Sequence, residues 1–183
     1  MTAIDLSSFA GLTAMVLLTL NVVLGILVSR NYNPARRWPH RKIPLFRIHN
    51  WTAYTALAVV LLHPTLLMFA KDPHFGPGDI LFPVASPGQR LYNTLGALTF
   101  YCFLLVVVTS YFRPKLGSRT WKKIHWTAYF AAAVLLVHGL LIDPDLKNRP
   151  PDLLDGEKVV VEACFVVVGA AAWWRIRQKR KMV

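Results

Sequence analysis

IHNWTAYTALAVVLLH at residues 48–63 and IHWTAYFAAAVLLVH at 124–138 are near copies, and each carries one histidine near its start and another at its end. They align with a single gap, opposite Asn50. Beyond it Trp51 pairs with Trp126, Tyr54 with Tyr129 and His63 with His138, all at an offset of 75. The repeated unit reads as an apolar helix with an imidazole toward each end. Four imidazoles on two such helices match two axial ligand pairs: neutral nitrogen donors suit heme iron. Two histidines per iron leave no open position, which favours electron transfer over oxygen binding.

Working outward from these helices, the rest of the chain is equally apolar. Hydrophobic residues fill 55% of 183 positions, and several runs reach the ~20 residues that cross a bilayer. The expected fold is all-α, a polytopic membrane helical bundle in a single heme-binding domain, 1–183. About five transmembrane helices are expected, near 8–29, 45–70, 92–112, 121–142 and 158–174. Proline and glycine concentrate between them, as in DPHFGPGDILFPVASPGQ and DPDLKNRPPDLLDGE. No GxGxxG is present, and no loop is long enough for a flavin or nicotinamide domain. Cys102 and Cys164 lie alone inside apolar segments and read as small buried hydrophobes. The lack of CxxC and CxxCH removes thiol-redox and covalent c-type heme readings.

A formal charge of +12 would suggest nucleic acid in a soluble protein, but its distribution excludes that partner here. Sixteen of the 21 Lys and Arg fall in the 30–47 loop, the 113–123 loop and the tail from Arg175 to Lys181. All nine acids, from Asp5 to Glu162, fall at or near the opposite face. The positive-inside rule then puts the N-terminus outside and the C-terminus in the cytoplasm. The basic excess reflects orientation, with membrane lipids as its partner and anionic lipid as a second role for RIRQKRK. The first span lacks a basic n-region and is long for a signal peptide, so it reads as a retained helix.

This orientation gives the histidines depth. His49 and His125 share a level near the cytoplasmic face, and His63 and His138 share one toward the outside. Thirteen or 14 residues at 1.5 Å rise separate the levels by roughly 20 Å, room for two macrocycles and a two-step electron path. Fourteen steps of about 100° return nearly to the starting face, whereas 13 end about 140° away. A tighter, 3₁₀-like turn is therefore expected beside His125, or a ring reaching its iron from a flank. Pro64 removes a backbone donor and is expected to bend the second span. Zinc or copper transport is disfavoured, because neither ligand helix supplies Asp, Glu or Cys within its span. His40 and His74 read as loop residues; His74 lies close in sequence to Asp72 and Asp79, which suggests a weak outer docking or metal point.

TSYFRPKLGSRTWKKIHWTAYFAAAVLLVHG resembles the ferric reductase-like transmembrane domain, through Thr109, Ser110, Leu116, Gly117, Trp121, His125, Tyr129 and His138. RIHNWTAYTALAVVLLH resembles its first ligand helix, and GDILFPVASPGQRLYNTLGAL the approach to the next, so the likeness covers about residues 10 to 142. That superfamily includes ferric reductases, NADPH oxidases and the heme subunit of bacterial methionine sulfoxide reductase. The resemblance implies a b-type cytochrome with two heme b groups, His49 paired with His125 (inner iron) and His63 with His138 (outer iron). Electrons pass outward from the cytoplasmic side. The sulfoxide reductase subunits typically lack a match to His49, so this chain is more similar to the diheme members. Those members carry a cytoplasmic flavin module that is missing here, so a separate donor is implied: a flavoprotein, a quinol or another subunit.

Heme propionates need cations, and Arg47, Lys122 and Lys123 inside and Arg90 outside are candidates. Arg90 is the best cofactor-binding candidate, because basic residues are scarce on its side. Trp51, Trp126, Tyr54 and Tyr129 read either as porphyrin-packing residues or as interfacial anchors. The expected role is the electron-transfer subunit of an oxidoreductase, serving an external acceptor or partner protein from a bacterial inner (cytoplasmic) membrane. The alternative is a heme-bearing accessory subunit of a larger respiratory or photosynthetic complex. The charge asymmetry predicts that a fluorescent reporter fused after Val183 lights up in the cytoplasm. A reporter that works only outside the membrane should be active at the N-terminus.

Overall fold

The computed structural model describes residues 1–34, 43–147, 149–150 and 152–180. Their regular structure is helical: α1 (Ala3–Ser29), α2 (Leu45–Leu67), α3 (Pro77–Leu81), α4 (Arg90–Tyr111), α5 (Arg113–Leu116), α6 (Ser118–His125), α7 (Thr127–Leu141) and α8 (Gly156–Arg180), with one 3₁₀ turn at Pro83–Ala85. Local signals set several boundaries. Thr2 and Asp5 close a reciprocal capping box on α1, and Gly117, at φ 75°, separates α5 from α6.

The protein is an integral membrane helical bundle. Among the described residues, four helical segments are long and apolar enough to cross a bilayer: α1, α4, α6 with α7 (Ser118–Leu141) and α8. The fifth expected span, α2, has the length at 23 residues but carries Arg47, His49, Asn50 and His63, which lower its hydropathy. It nevertheless lies along α1, its most extensive partner.

Chain direction alternates through the five long segments. Asn21 meets His49 and Ser7 meets His63, so α1 and α2 are antiparallel. Tyr92 meets His138 and Ser110 meets His125, so α4 and α7 are antiparallel. Ser8 donates to Glu157 at 2.8 Å and Arg30 to the Arg175 carbonyl at 2.6 Å, so α8 lies parallel to α1. Lipid tails are as apolar as leucine, so association here relies on close packing and interhelical hydrogen bonds. Small residues allow that approach. A methyl on Gly139 would meet Met15 Cε at 2.6 Å, and Met15, Leu136, Val161 and Cys164 pack around this crossing. Cys164 is buried there, as expected, whereas Cys102 is only partly buried.

At the His63/His138 end, two loops are tied together. Gln89, in the left-handed conformation, spans the Asp143 backbone, accepting from its N–H at 2.8 Å and donating to its carbonyl at 3.1 Å. The Asp143 carboxylate accepts from the backbone N–H groups of Asp145, Lys147 and Arg149. Lys158 closes the end of α7 by donating to the carbonyls of Gly139 and Ile142.

Burial alone would raise the Asp143 carboxyl. The Arg149 and Asp145 amides, the Arg149 guanidinium and the Lys147 amide outweigh it and hold the group below its ordinary 3.8. A lowered folded value stabilises the loop above about pH 4, and that support disappears as pH falls through the folded value. Asp143→Ala should cost about 1–3 kcal/mol by orphaning the three amides. Hydrogen-exchange protection at Asp145, Lys147 and Arg149 should fall at pH 7 to what the wild type shows only in strong acid.

Candidate functional site

Three of the four histidines are held by one construction used three times. His63 on α2 faces Gly11 on α1, where an added Cβ would meet the ring at 2.9 Å, and its Nδ1 lies 2.7 Å from the Ser7 carbonyl. His49 faces Gly25, and its Nδ1 lies 3.1 Å from the Asn21 carbonyl. His138 on α7 faces Gly96 on α4, and its Nδ1 lies 2.7 Å from the Tyr92 carbonyl. In each case the acceptor lies four residues before the glycine. A helical side chain leans over the turn preceding it, so glycine uncovers that carbonyl.

Backbone carbonyls accept only, so Nδ1 of these three rings carries the proton and Nε2 keeps its lone pair. Further bonds fix the helices: Ser7 Oγ donates to the His63 carbonyl at 2.8 Å, and Asn21 Nδ2 to the His49 carbonyl at 2.6 Å. The fourth site departs from the others. His125 faces Ser110, whose hydroxyl lies 3.4 Å from Nδ1.

The like-level pairs come together. His49 and His125 have ring centres 6.3 Å apart with planes at 70°. With imidazole–metal bonds of about 2.0–2.1 Å, two rings bracketing one metal have centres roughly 6–6.5 Å apart. His63 and His138 line a cavity of about 300 Å³ together with Gly11, Gly96, Thr99 and Phe103, near the lower end of the ~300–1,000 Å³ usual for cofactor and ligand pockets. The Thr99 hydroxyl on its wall is buried without a hydrogen-bond partner. Phe103 packs with Leu18, Ala56 and Val107 midway along the helices, separating the two levels.

The expected irregularity beside His125 is present. α6 stops at His125, α7 starts at Thr127, and Trp126 between them accepts an i→i+3 bond from the Tyr129 amide at 3.1 Å. Pro64 lies inside α2, which continues to Leu67.

Arg90 is exposed at the start of α4, its Nε donating to the Ser86 carbonyl, and does not line the cavity. Lys158 does line it, as a buried cation that sequence reasoning passed over. Arg47 borders a shallow cleft with Trp51 and Thr55, and Lys122 and Lys123 are exposed. The repeated aromatics turn outward: Trp51 is 61% and Trp126 57% exposed, as interfacial anchors would be. Arg175 donates to the Tyr129 hydroxyl and stands over the Trp126 ring. His74 is exposed near the Ala70 carbonyl, while Asp79 caps α3; among the described residues no three metal-binding side chains cluster. His40 lies outside the described residues.

The family model described as ferric reductase like transmembrane component matches residues 10–136. The chain belongs to that family. No curated protein and no solved structure matches it. For a ferric reductase-like transmembrane component, transmembrane electron transfer is the implied activity. His49, His63 and His125 fall within the matched segment, while His138 and all of α8 lie beyond it. The supporting residues missed by sequence reasoning had a signal: Gly11 and Gly25 are 14 apart, like His49 and His63, and Gly96 and Ser110 repeat that interval.

Proposed function

We propose that this ferric reductase-like protein carries electrons across a bacterial inner membrane through two bis-histidine b-type hemes, His49 with His125 and His63 with His138. One observation carries the reading. Three imidazoles have Nδ1–H fixed by a carbonyl of the neighbouring helix and a fourth by a hydroxyl, which leaves Nε2 for a metal at both levels. The cavity at His63 and His138, the orphaned Thr99 hydroxyl and the 6.3 Å spacing of the other pair all suit a planar macrocycle with an axial ring on each side.

Bound heme supplies the one-electron iron couple; the protein supplies ligand orientation, burial and charge. Arg113 stacks over Trp121, which lies against the His125 ring at 4.9 Å; a cation there steadies anionic propionates at the basic face. Lys158 borders the cavity at the other pair. The charge asymmetry orients the His49/His125 level toward the cytoplasm, and the family likeness supports outward flow from a separate donor to an external acceptor.

Purified protein should show a b-type reduced-minus-oxidised spectrum and two hemes per chain. His63→Ala or His138→Ala should leave one. Heme-free protein would end the proposal, and a single heme in the wild type would end its diheme form.

The glycines supply a finer test. Gly11→Ala and Gly96→Ala add a methyl 2.9 Å from His63 and His138, and should lower occupancy of the outer heme severalfold. Gly25→Ala, at 3.2 Å from His49, should do less. Alanine favours the helix by about 1 kcal/mol, so the losses should appear in heme content without loss of folded protein.

A further inference from the structure

Ser110 is the one position of the four where the construction changes. At Gly11, Gly25 and Gly96 the uncovered acceptors are the carbonyls of Ser7, Asn21 and Tyr92; the corresponding carbonyl below Ser110 belongs to Val106. Ser110 Oγ donates to it at 2.6 Å. A hydroxyl has one donor and two lone pairs. With the donor used on Val106, the lone pairs accept from Trp121 Nε1 at 3.2 Å and from His125 Nδ1 at 3.4 Å. Three carbonyl contacts span 2.7–3.1 Å, so His125 has the longest acceptor contact of the four, and it shares that acceptor with an indole.

We infer that Ser110 is a positioning residue that keeps His125 the least basic of the four axial ligands, so that the heme between His49 and His125 has the higher reduction potential and fills first. This rests on the diheme reading above. A hydrogen bond from the distal ring nitrogen raises ligand basicity and favours ferric iron; weakening it favours ferrous. Surrounding charge acts in the same direction. Arg113 stacks on Trp121 beside His125, and Lys122 and Lys123 occupy its own helix. The other pair's cavity is bordered by Asp79, Asp143 and Glu157, opposed by Lys158 alone. Electrons entering from the basic face would then rest at the first station.

The experiment is a spectroelectrochemical titration of the intact diheme protein, with the His63/His138 heme as internal reference. Ser110→Gly uncovers the Val106 carbonyl, so His125 should gain a carbonyl bond and the inner potential should fall. A tenfold change in the equilibrium corresponds to about 59 mV for one electron. Ser110→Ala removes the acceptor and should raise it, while Ser110→Thr keeps the hydroxyl and should leave it unchanged. Opposite shifts for Gly and Ala, confined to one heme, support the inference. Equal shifts, no shift, or loss of the inner heme in Gly and Ala alike overturn it. A wild type that holds two hemes with the outer one reduced first also overturns it, and leaves the diheme proposal standing.

Discussion

An imidazole inside a membrane cannot leave its second nitrogen unpaired, and a helix has few acceptors to offer. Every interior carbonyl already bonds the amide four residues on, but each has a second lone pair. That lone pair is usually covered by the side chain one turn ahead. Glycine uncovers it. Gly11, Gly25 and Gly96 therefore open acceptors at Ser7, Asn21 and Tyr92, and the close approach they permit is also what α1 and α2, or α4 and α7, need in order to associate where lipid supplies no hydrophobic drive. Imidazole orientation and helix pairing are thus one interaction.

The arrangement has an architectural consequence. Each histidine-bearing helix is gripped from behind, α2 by α1 and α7 by α4, so its Nε2 edges turn toward the other hairpin. α2 and α7 have little direct backbone packing on each other, and the space between them holds the four imidazoles. Leu18, Ala56, Phe103 and Val107 fill its middle, which divides one slot into two levels. Parallel placement of α2 and α7, forced by alternating chain direction, brings histidines of equal depth together.

Much of this was legible in the sequence because it depends on periodicity and composition. The repeat located the two histidine-bearing helices, and the 13-residue interval anticipated the tighter turn at Trp126. The membrane-length runs gave the bundle, although α2 is less apolar than its neighbours because it carries Arg47, His49, Asn50 and His63. Other features depend on tertiary contact and left weaker traces. Arg90 is exposed and donates to the Ser86 carbonyl, while Lys158, hidden in a helix beginning GEKVVVEA, is a buried cation that composition alone does not single out. Glycines in apolar helices carry no label that distinguishes packing from acceptor exposure. Their 14-residue spacing, shared with His49 and His63, was the available clue.

That spacing also explains why the irregularities gather in one place. α1 and α4 keep the same register, Gly11 to Gly25 and Gly96 to Ser110, while the helices facing them differ: 14 residues separate the histidines of α2 and 13 those of α7. A regular α7 that seated His138 over Gly96 would turn His125 away from α4. Two changes at that end compensate. The helix tightens between α6 and α7, where Trp126 stays right-handed helical but accepts an i→i+3 bond from the Tyr129 amide. The acceptor also moves outward, from a carbonyl beneath a glycine to a hydroxyl standing on Ser110. A ring that cannot settle against the helix backbone is met by a side chain that projects from it, and Trp121, donating to the same oxygen, holds that side chain in place.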